Sequence, residues 1–417
     1  MLSPRSASLI LLLIDARSGG GKPDPEAVGR LRTEAVDVWK ENPRDAASLV
    51  KLLGLFDREG DEATITGLLA TAEKAGVTDP GLDPFKKKWL EEIPKQRESR
   101  ALELYKEAKE AFDKDNFAVA AGKAGEGFKL KGMPDLGFLL AESYRELGKP
   151  KEMQDSLAEL AKAVSTPDDV ARVGVLFGAA HLADYEASGK KSVCIDKALQ
   201  NLNAALDLLK EAKGKQALIA AAHTYRARCF AVQGSLAKVD EDIAAAKAVH
   251  DHDAVLIFHQ AETYYVLGEK VNDPDRSAAF QRSIARLTLY KDMKETARDP
   301  RGQFLFGLCY LRLGGKVDNF NKAKDYFSRA EVFGMKDKPE LYDAWAEAFL
   351  GLGKYINAAQ KYRQSFEIRP TEEACAKSGQ CFIEANNVTS AKRVLQEGLD
   401  KFPKSPKLLQ LLNGIGR

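Results

Sequence analysis

The chain has 417 residues, 44% of them hydrophobic and 30% charged, and its 63 Lys and Arg nearly balance its 61 Asp and Glu. A formal net charge of +2 provides no global field that would draw in nucleic acid or an anionic membrane, and no apolar stretch approaches the roughly 20 residues that cross a bilayer. One compact core rarely organises so long a chain, so the length favours either several domains or one elongated repeat array.

Residues 1–25 are expected to form a flexible N-terminus or a weak signal-like segment. An apolar run extends from Ser8 to Ile14, and a signal peptide would be cleaved after Ala16. Against cleavage, Asp15 adjoins the site and the A-x-A pattern is missing. The alternatives are a frayed start or a strand-like segment packed on the first helices. The sequence therefore favours a cytoplasmic protein, with an exported or periplasmic one as the alternative.

Residues 26–100 are expected to hold N-terminal helices and one divergent repeat. The apolar periodicity predicts an opening helix over 28–41 and a weak helix-hairpin pattern over 46–77. A further helix is predicted over 83–93. It is expected to end before Pro94 and to interrupt the repeats, because Pro cannot continue a regular helix.

The clearest repeat unit spans residues 339–370 and consists of two apolar-periodic helices on either side of a turn. Small residues recur where two helices must approach closely, and a Pro ends the second helix. Counted from Pro339, the characteristic positions are Ala346 at place eight, Phe349 at eleven, Gly353 at fifteen, Tyr355 at seventeen, Ala358 at twenty, Tyr362 at twenty-four, Ser365 at twenty-seven and Pro370 at thirty-two. This pattern resembles the tetratricopeptide repeat (TPR) at every characteristic place.

The resemblance implies an all-α solenoid, a right-handed superhelix of TPR-like helix hairpins with N- and C-terminal capping helices. A single hairpin cannot cover its own apolar faces, so hairpins must stack on one another. The same frame fits further units at 101–132, 134–165, 220–251, 254 onward, 300–334 and 372–403. The chain then divides into TPR-like repeats over 101–165, an irregular helical hairpin over 166–214, TPR-like and Sel1-like repeats over 215–403, and a capping helix over 404–417.

Three turns depart from the regular repeat. One hairpin has a turn expanded over 269–275, so its second helix is expected to begin near Arg276. The irregular hairpin carries a turn lengthened around 188–192. A longer turn and a closing Gly334 make the unit 300–334 resemble the related Sel1-like repeat.

The five cysteines are an odd number without paired spacing, which argues against a disulfide framework or a zinc site and mildly favours a reducing compartment. Cys229, Cys309 and Cys381 all occupy place ten of their repeats, on the packed side of the first helix. We therefore expect them to fill the core rather than to carry redox chemistry.

Motifs for catalysis or cofactor binding are weak throughout the sequence. His250 and His252 flank an Asp in a loop between repeats but lack a third ligand, so a polar loop is favoured over a metal site. Residues 18–22 resemble a phosphate-binding loop only superficially, because Pro23 stands where such a loop has a Ser or Thr. A continuous basic stripe for RNA is missing. The sequence predicts a protein that is not an enzyme and that takes no cofactor, metal or nucleic acid.

The resemblance also implies a binding surface. In TPR arrays the first helices line a concave groove, with places two, five, nine, twelve and thirteen directed into it. The candidate groove residues are Tyr105, Lys109, Phe112, Phe138, Arg145, Arg228, Phe258, Tyr265, Phe304 and Arg312. Aromatic anchors with Arg that grips acidic groups suit an extended or helical peptide. The alternative is that some of these aromatics pack against neighbouring repeats.

The two ends of this groove differ in charge. At the C-terminal end the groove places hold Glu340, Asp343, Glu347, Glu373, Gln380 and Glu384. An acidic surface of this kind favours basic segments. TPR proteins that grip chaperone tails carry Lys and Asn at places five and nine. Here those places hold Tyr105 and Lys109, then Phe138 and Glu142, so a chaperone-tail cochaperone is not expected.

The sequence thus favours a non-catalytic protein–protein interaction scaffold that binds a peptide or protein segment in its groove. One alternative is an exported TPR protein of cell-envelope or secretion machinery, and another is a regulatory module of a larger signalling system. An enzyme or ligand-binding solenoid with a site in 166–214 is least favoured, since only irregular turns point to it. The sequence leaves the partner and the oligomeric state open.

Overall fold

The computed structural model describes residues 25–188 and 191–415, and these residues contain helices and turns but no strand. The predicted all-α class is confirmed. The signal-like segment and the loop at 18–22 lie outside the described residues. Two compact units are present, one ending at Ser143 and the other beginning at Tyr144.

The first unit holds the opening helix and the N-terminal hairpins. Its elements are α1 (Pro25–Glu41), α2 (Ala46–Glu59), α3 (Glu62–Lys74), a 3-10 turn (Pro80–Leu82), α4 (Asp83–Lys86), a π-helical segment (Lys87–Glu92), α5 (Ile93–Asp113), α6 (Phe117–Lys131) and most of α7 (Pro134–Glu146). Trp39, Leu53, Phe56 and Leu69 are buried in its core. The predicted opening helix and the hairpin at 46–77 are confirmed.

The separate helix predicted over 83–93 is wrong, because the chain stays helical from α4 through Pro94 into α5. A proline in a regular α-helix lacks one hydrogen bond and its ring collides with the carbonyl four residues earlier. The π-helical segment Lys87–Glu92 directly precedes Pro94, and its wider turn accommodates the ring. The helix therefore leads directly into the repeat that begins at Ala101.

The second unit is a run of helix hairpins in which odd-numbered helices come first and even-numbered helices second. After the last residues of α7 its elements are α8 (Pro150–Ala163), α9 (Pro167–Ala187), α10 (Ser192–Leu209), α11 (Gln216–Val232), α12 (Leu236–Val249), α13 (Ala254–Gly268), α14 (Asp275–Asp292), α15 (Pro300–Leu313), α16 (Val317–Ala330), a π-helical segment (Glu331–Met335), α17 (Pro339–Gly351), α18 (Tyr355–Ile368), α19 (Glu372–Glu384), α20 (Val388–Lys401) and α21 (Pro406–Gly414). The hairpin array that the TPR resemblance implies is confirmed, and α14 begins one residue before its expected start.

One of the predicted turns needs correction, and another falls partly outside the described residues. The irregular hairpin has long helices, α9 with 21 residues and α10 with 18, and residues 189–190 of its predicted lengthened turn lie outside the described residues. The longer turn predicted for 300–334 is wrong, since Gly314 and Gly315 adopt positive φ and complete a three-residue turn. The Sel1-like assignment of this unit stays a prediction.

The two helices of a hairpin approach closely because the residue at place eight of the repeat has a small side chain. Gly307 of α15 lies directly under the ring of Phe327 from α16, so that a Cβ at this position would come within 2.4 Å of the ring. Gly353 has a φ of 66° and ends the turn between α17 and α18, a conformation that glycine adopts without strain. The closing helix α21 is capped by Ser405, whose Oγ accepts a hydrogen bond from the Leu408 N–H.

Substituting Gly307 by Ala tests this packing. The added methyl has no space beside the Phe327 ring, so we expect the variant to lose about 1–3 kcal/mol of unfolding free energy. Gly122 in α6 is a matched control, because nothing lies within 4 Å of a Cβ placed there. We expect Gly122→Ala to raise the free energy of unfolding by about 0.4–1 kcal/mol. Urea unfolding followed by circular dichroism measures both, and equal midpoints for the two variants would contradict the packing.

Candidate functional site

The candidate groove residues fall in both units, and each unit is described separately. In the first unit, Tyr105 and Phe112 of α5 are half-buried, Lys109 is exposed, and Phe138 of α7 is buried with 2% of its surface accessible. The Phe112 ring meets Phe117 of α6 edge-on, with ring centroids 5.2 Å apart. Phe112 therefore packs within its own hairpin, and Phe138 is buried.

In the second unit the predicted aromatics also take part in packing. Phe258 of α13 is 9% exposed, and its ring centroid lies 5.3 Å from that of Tyr290 in α14. Phe304 of α15 is half-buried, with its ring centroid 5.8 Å from that of Phe327. The guanidinium of Arg301 covers the Phe258 ring at 5.4 Å. A guest would therefore reach only the edges of these rings.

The predicted arginines are held by carboxylates of neighbouring first helices. Arg228 of α11 contacts Glu186 of α9 at 2.8 Å. Arg312 of α15 bridges two neighbours, with Glu269 after α13 at 3.1 Å and Glu347 of α17 at 3.2 Å. One guanidinium thus joins three consecutive hairpins. We call the surface that carries these pairs and the predicted groove places of α11, α13, α15, α17 and α19 the first-helix face.

Two further contacts continue the first-helix face toward the start of the second unit. Arg145 donates a hydrogen bond to the Tyr225 hydroxyl of α11 at 3.3 Å, and the Tyr225 ring lies 6.1 Å from the His259 ring of α13. His259 contacts Glu262 at 3.0 Å. Burial tends to raise the pKa of Glu262, but the hydrogen bond with His259 and the charges of nearby arginines outweigh it, so this pKa is lowered.

Tyr265 of α13 is half-buried on the same face. Burial raises the pKa of its phenol to about 12, with the negative charge of Glu269 as a second cause, so the hydroxyl stays protonated at neutral pH. Sequence reasoning finds Tyr265 and Arg312 but misses Glu186, His259 and Glu269, which lie outside the chosen places. The signal that would have found them is a carboxylate or His at the height of each predicted Arg on the neighbouring first helix.

Aliphatic side chains remain accessible between these polar contacts. Val255 at place two of α13 is 56% exposed. Leu308 of α15, Leu350 of α17 and Ile383 of α19 are half-buried and pack against the core from the same helices. Partly exposed aliphatic groups beside preformed ion pairs suit the binding of a polypeptide segment.

A second polar cluster lies away from the predicted groove places. Asp242 of α12 is 2% exposed and accepts hydrogen bonds from Arg226 through both of its carboxylate oxygens. His223 Nδ1 lies 2.8 Å from the same carboxylate, and Arg226 also donates to Asn203 of α10 at 2.9 Å. The cluster borders a cleft of about 670 Å³ that is lined mainly by α10 and α11. Because every charge in it has a partner, we interpret it as a structural clamp between two hairpins.

The remaining sequence candidates are structural as well. Cys229, Cys309 and Cys381 are buried, and burial raises the pKa of the first two thiols to about 12 and of the third to about 11. Core filling is thus the role that fits these thiols. In the loop between α12 and α13, Asp251 pairs with Arg286 of α14 and so ties the loop to the next hairpin.

Two absences concern the described residues only. They contain no group of three or more His, Cys, Asp and Glu side chains placed to hold a metal ion. Among the described helices, none combines the length and apolar character that crossing a membrane requires.

No family model matches the sequence, and neither does any curated protein. Several solved helical repeat proteins are similar in structure. PilF from Pseudomonas aeruginosa is 16% identical over 60% of this chain and 99% of its own, with a TM-score of 0.41. A TPR protein from Thermus thermophilus is 20% identical over 52% of this chain and 100% of its own, with a TM-score of 0.36.

The Cut9–Hcn1 hetero-tetramer of the APC/C gives the longest overlap of these three. It is 15% identical over 92% of this chain and 73% of its own, with a TM-score of 0.47. At such identities the similarity concerns helical-repeat architecture alone and identifies no partner.

The Asp242 clamp predicts a measurable loss of stability. Asp242→Asn leaves Arg226 without its buried countercharge, and we expect a loss of about 3–5 kcal/mol in unfolding free energy. Glu241→Gln, an exposed neighbour on the same helix, is the control and is expected to change it by less than about 0.5 kcal/mol.

The difference in unfolding free energy between the native chain and Asp242→Asn is expected to depend on pH, because the pKa of Asp242 is lowered. Burial raises this pKa, but hydrogen bonds from His223 and Arg226 outweigh burial and bring it below the usual 3.8. The carboxylate therefore stabilises the fold fully above about pH 4, and this contribution is lost as the pH falls through the folded-state pKa. If the difference in unfolding free energy between the native chain and Asp242→Asn grew as the pH falls, this would contradict the interpretation of the cluster as a structural clamp.

Proposed function

We propose that this chain is a non-catalytic scaffold that binds a protein or peptide segment on its first-helix face. The observation that carries the proposal is that first helices of successive hairpins keep partly accessible aliphatic side chains, Val255 on α13 and Leu308 on α15, on the face whose ion pairs link consecutive first helices. A surface made of equivalent positions in successive hairpins extends along the array, which suits an extended or helical guest.

The ion pairs define how such a guest would bind. Because Arg312 already holds Glu269 and Glu347, an acidic guest would have to displace these carboxylates before it gained a contact. A guest that lies across the aliphatic groups leaves the pairs intact. The Arg contacts then serve to keep neighbouring first helices at a set spacing, so less ordering is needed on binding.

The alternatives differ in compartment and context rather than in surface chemistry. An exported protein of the cell envelope or secretion machinery and a regulatory module of a larger signalling system would both use the same face. The cleavage after Ala16 on which the exported alternative depends lies outside the described residues. Mass spectrometry of the mature N-terminus distinguishes these cases, and an intact Met1 would show that the chain is not cleaved after Ala16.

Substitutions on the first-helix face test the scaffold. The test uses peptides that are first selected by display for binding to the native chain. We expect Val255→Ser combined with Leu308→Ser to weaken the affinity for these peptides by about tenfold, since two aliphatic contacts are lost. Phe258 is unsuitable for this purpose, because truncating a buried ring would destabilise the fold by about 3–5 kcal/mol. Fluorescence anisotropy of labelled selected peptides measures the change.

The matched control carries the same chemical change on second helices. Leu208→Ser in α10 and Leu289→Ser in α14 remove exposed aliphatic groups, each 46% accessible, from the other helix of their hairpins. We expect this pair to bind the selected peptides as the native chain does. Equal losses in both double variants, or no loss in the Val255 and Leu308 pair, would refute binding at the first-helix face.

A further inference from the structure

The first-helix face changes its charge toward the C-terminus. Between the end of α9 and the start of α15, three carboxylates on the face have a local partner. Glu186 contacts Arg228 at 2.8 Å, Asp299 contacts Arg301 at 3.0 Å and Glu262 contacts His259 at 3.0 Å. The charges of Arg228 and Arg301 also act on Glu262, so arginines compensate the carboxylates in this part of the face, which leaves little negative charge for a basic guest.

The faces of α15 and α17 adjoin, as the contact of Arg312 with Glu347 shows. One helical turn earlier on the same two faces are Leu308 and Asp343, because residues four apart lie one above the other on a helix. An aliphatic group and a carboxylate therefore lie side by side at the junction of these hairpins.

Three carboxylates share the neighbourhood of one buried phenol. Burial raises the pKa of Tyr362 in α18, and the charges of Glu347, Asp343 and Glu373 raise it further. The carboxylates of α17 and α19 thus lie close enough to act on the same group. Leu350 and Ile383, on these same two helices, are half-buried and supply apolar surface beside them.

The local cations do not neutralise this region. The carboxylates are Glu269, Glu340, Asp343, Glu347, Glu373 and Glu384, and the cations that contact them or act on them are Arg312, Arg369, Lys377 and Lys407. Among the ion pairs of the described residues, Arg312, Arg369 and Lys377 hold four of these carboxylates, and neither Asp343 nor Glu384 has an ion-pair partner.

The charge of Asp343 is poorly compensated. Its pKa is raised, first by burial and then by the charges of Glu340 and Glu347, although a hydrogen bond with Ser365 and the charge of Lys377 oppose the change. Like charges that face one another store repulsion, and a cation placed among them relieves it.

We propose that the first-helix face of α15, α17 and α19 docks a polypeptide segment that alternates aliphatic residues with Lys or Arg. The inference rests on the proposed function and specifies its guest. The aliphatic residues of such a segment, and the stems of its Lys side chains, cover Leu308, Leu350 and Ile383. Its cationic ends reach Asp343, Glu347 and Glu373, where charge complementarity is strongest.

Model peptides of fixed length test the guest chemistry. Three labelled peptides of about 15 residues share the same Leu positions and carry Lys, Glu or Ser at all others. We expect the Lys peptide to bind the full chain at least about tenfold more tightly than the Glu or Ser peptide, and its affinity to fall as salt is raised from about 0.1 M to about 1 M. Equal binding of the Lys and Glu peptides, or binding of neither, would overturn the proposal.

Isosteric amides locate the binding. Asp343→Asn combined with Glu347→Gln keeps the hydrogen-bond acceptors for Ser365 and Arg312 but removes two charges, and we expect about a tenfold loss for the Lys peptide only. Asp400→Asn, which removes an exposed carboxylate from the second helix α20, is the control and should leave binding within about twofold. A loss of the same size in the control would assign the effect to net charge and reject the site.

Failure of this proposal is distinguishable from failure of the scaffold itself. Peptides selected by display that lose affinity with Val255→Ser and Leu308→Ser but show no enrichment in Lys or Arg would leave the scaffold intact and reject the basic guest. Circular dichroism of each variant confirms that it is folded before binding is measured.

Discussion

The close contact between the two helices of a hairpin is the constraint on which the second unit depends. Large side chains of second helices lie directly on glycines of their first-helix partners, so that a Cβ would approach Leu202 to 2.5 Å at Gly178, Phe327 to 2.4 Å at Gly307 and Leu395 to 2.6 Å at Gly379. Such contacts set the distance and rotation of the paired helices at once, because neither partner has room to move closer. The rotation in turn decides which side of the first helix remains for other contacts.

The demands of this packing explain the composition of the first-helix face. Rings such as Phe258 and Phe304 are drawn between helices by the free energy of burying aromatic surface, and they leave mainly aliphatic groups and long charged side chains accessible. The charged groups then pair across hairpins, as Arg312 does with Glu269 and Glu347. Partly exposed pairs of this kind contribute little to stability individually, and their main effect is to orient neighbouring first helices.

The balance of charge along the face separates two zones with different recognition properties. Where arginines compensate the carboxylates, a charged guest gains little that the chain does not already supply. Around Asp343 the carboxylates outnumber the cations, and burial makes their mutual repulsion stronger than it would be in water. Selectivity for a guest therefore arises from the uncompensated zone, while the balanced zone supplies shape and aliphatic contact.

The sequence by itself determined the helix hairpins and their boundaries, because small residues, turn glycines and terminating prolines act locally and recur at fixed places in units such as 339–370. It also determined the burial of Cys229, Cys309 and Cys381, which follows from their common place in the repeat. Its prediction of a break before Pro94 failed, since a π-helical segment absorbs a proline in a way that no local rule anticipates.

Only the tertiary structure decided which candidate groove side chains are free to meet a guest. Whether Arg301 covers Phe258, or whether Arg228 is already paired with Glu186, depends on residues about 40 positions away that stacking of hairpins brings together. The residue type at a repeat position determines which contacts a side chain is able to make. The neighbouring hairpin determines how many of those contacts are already made within the chain, because burial and ion pairing are properties of contacts and not of single positions.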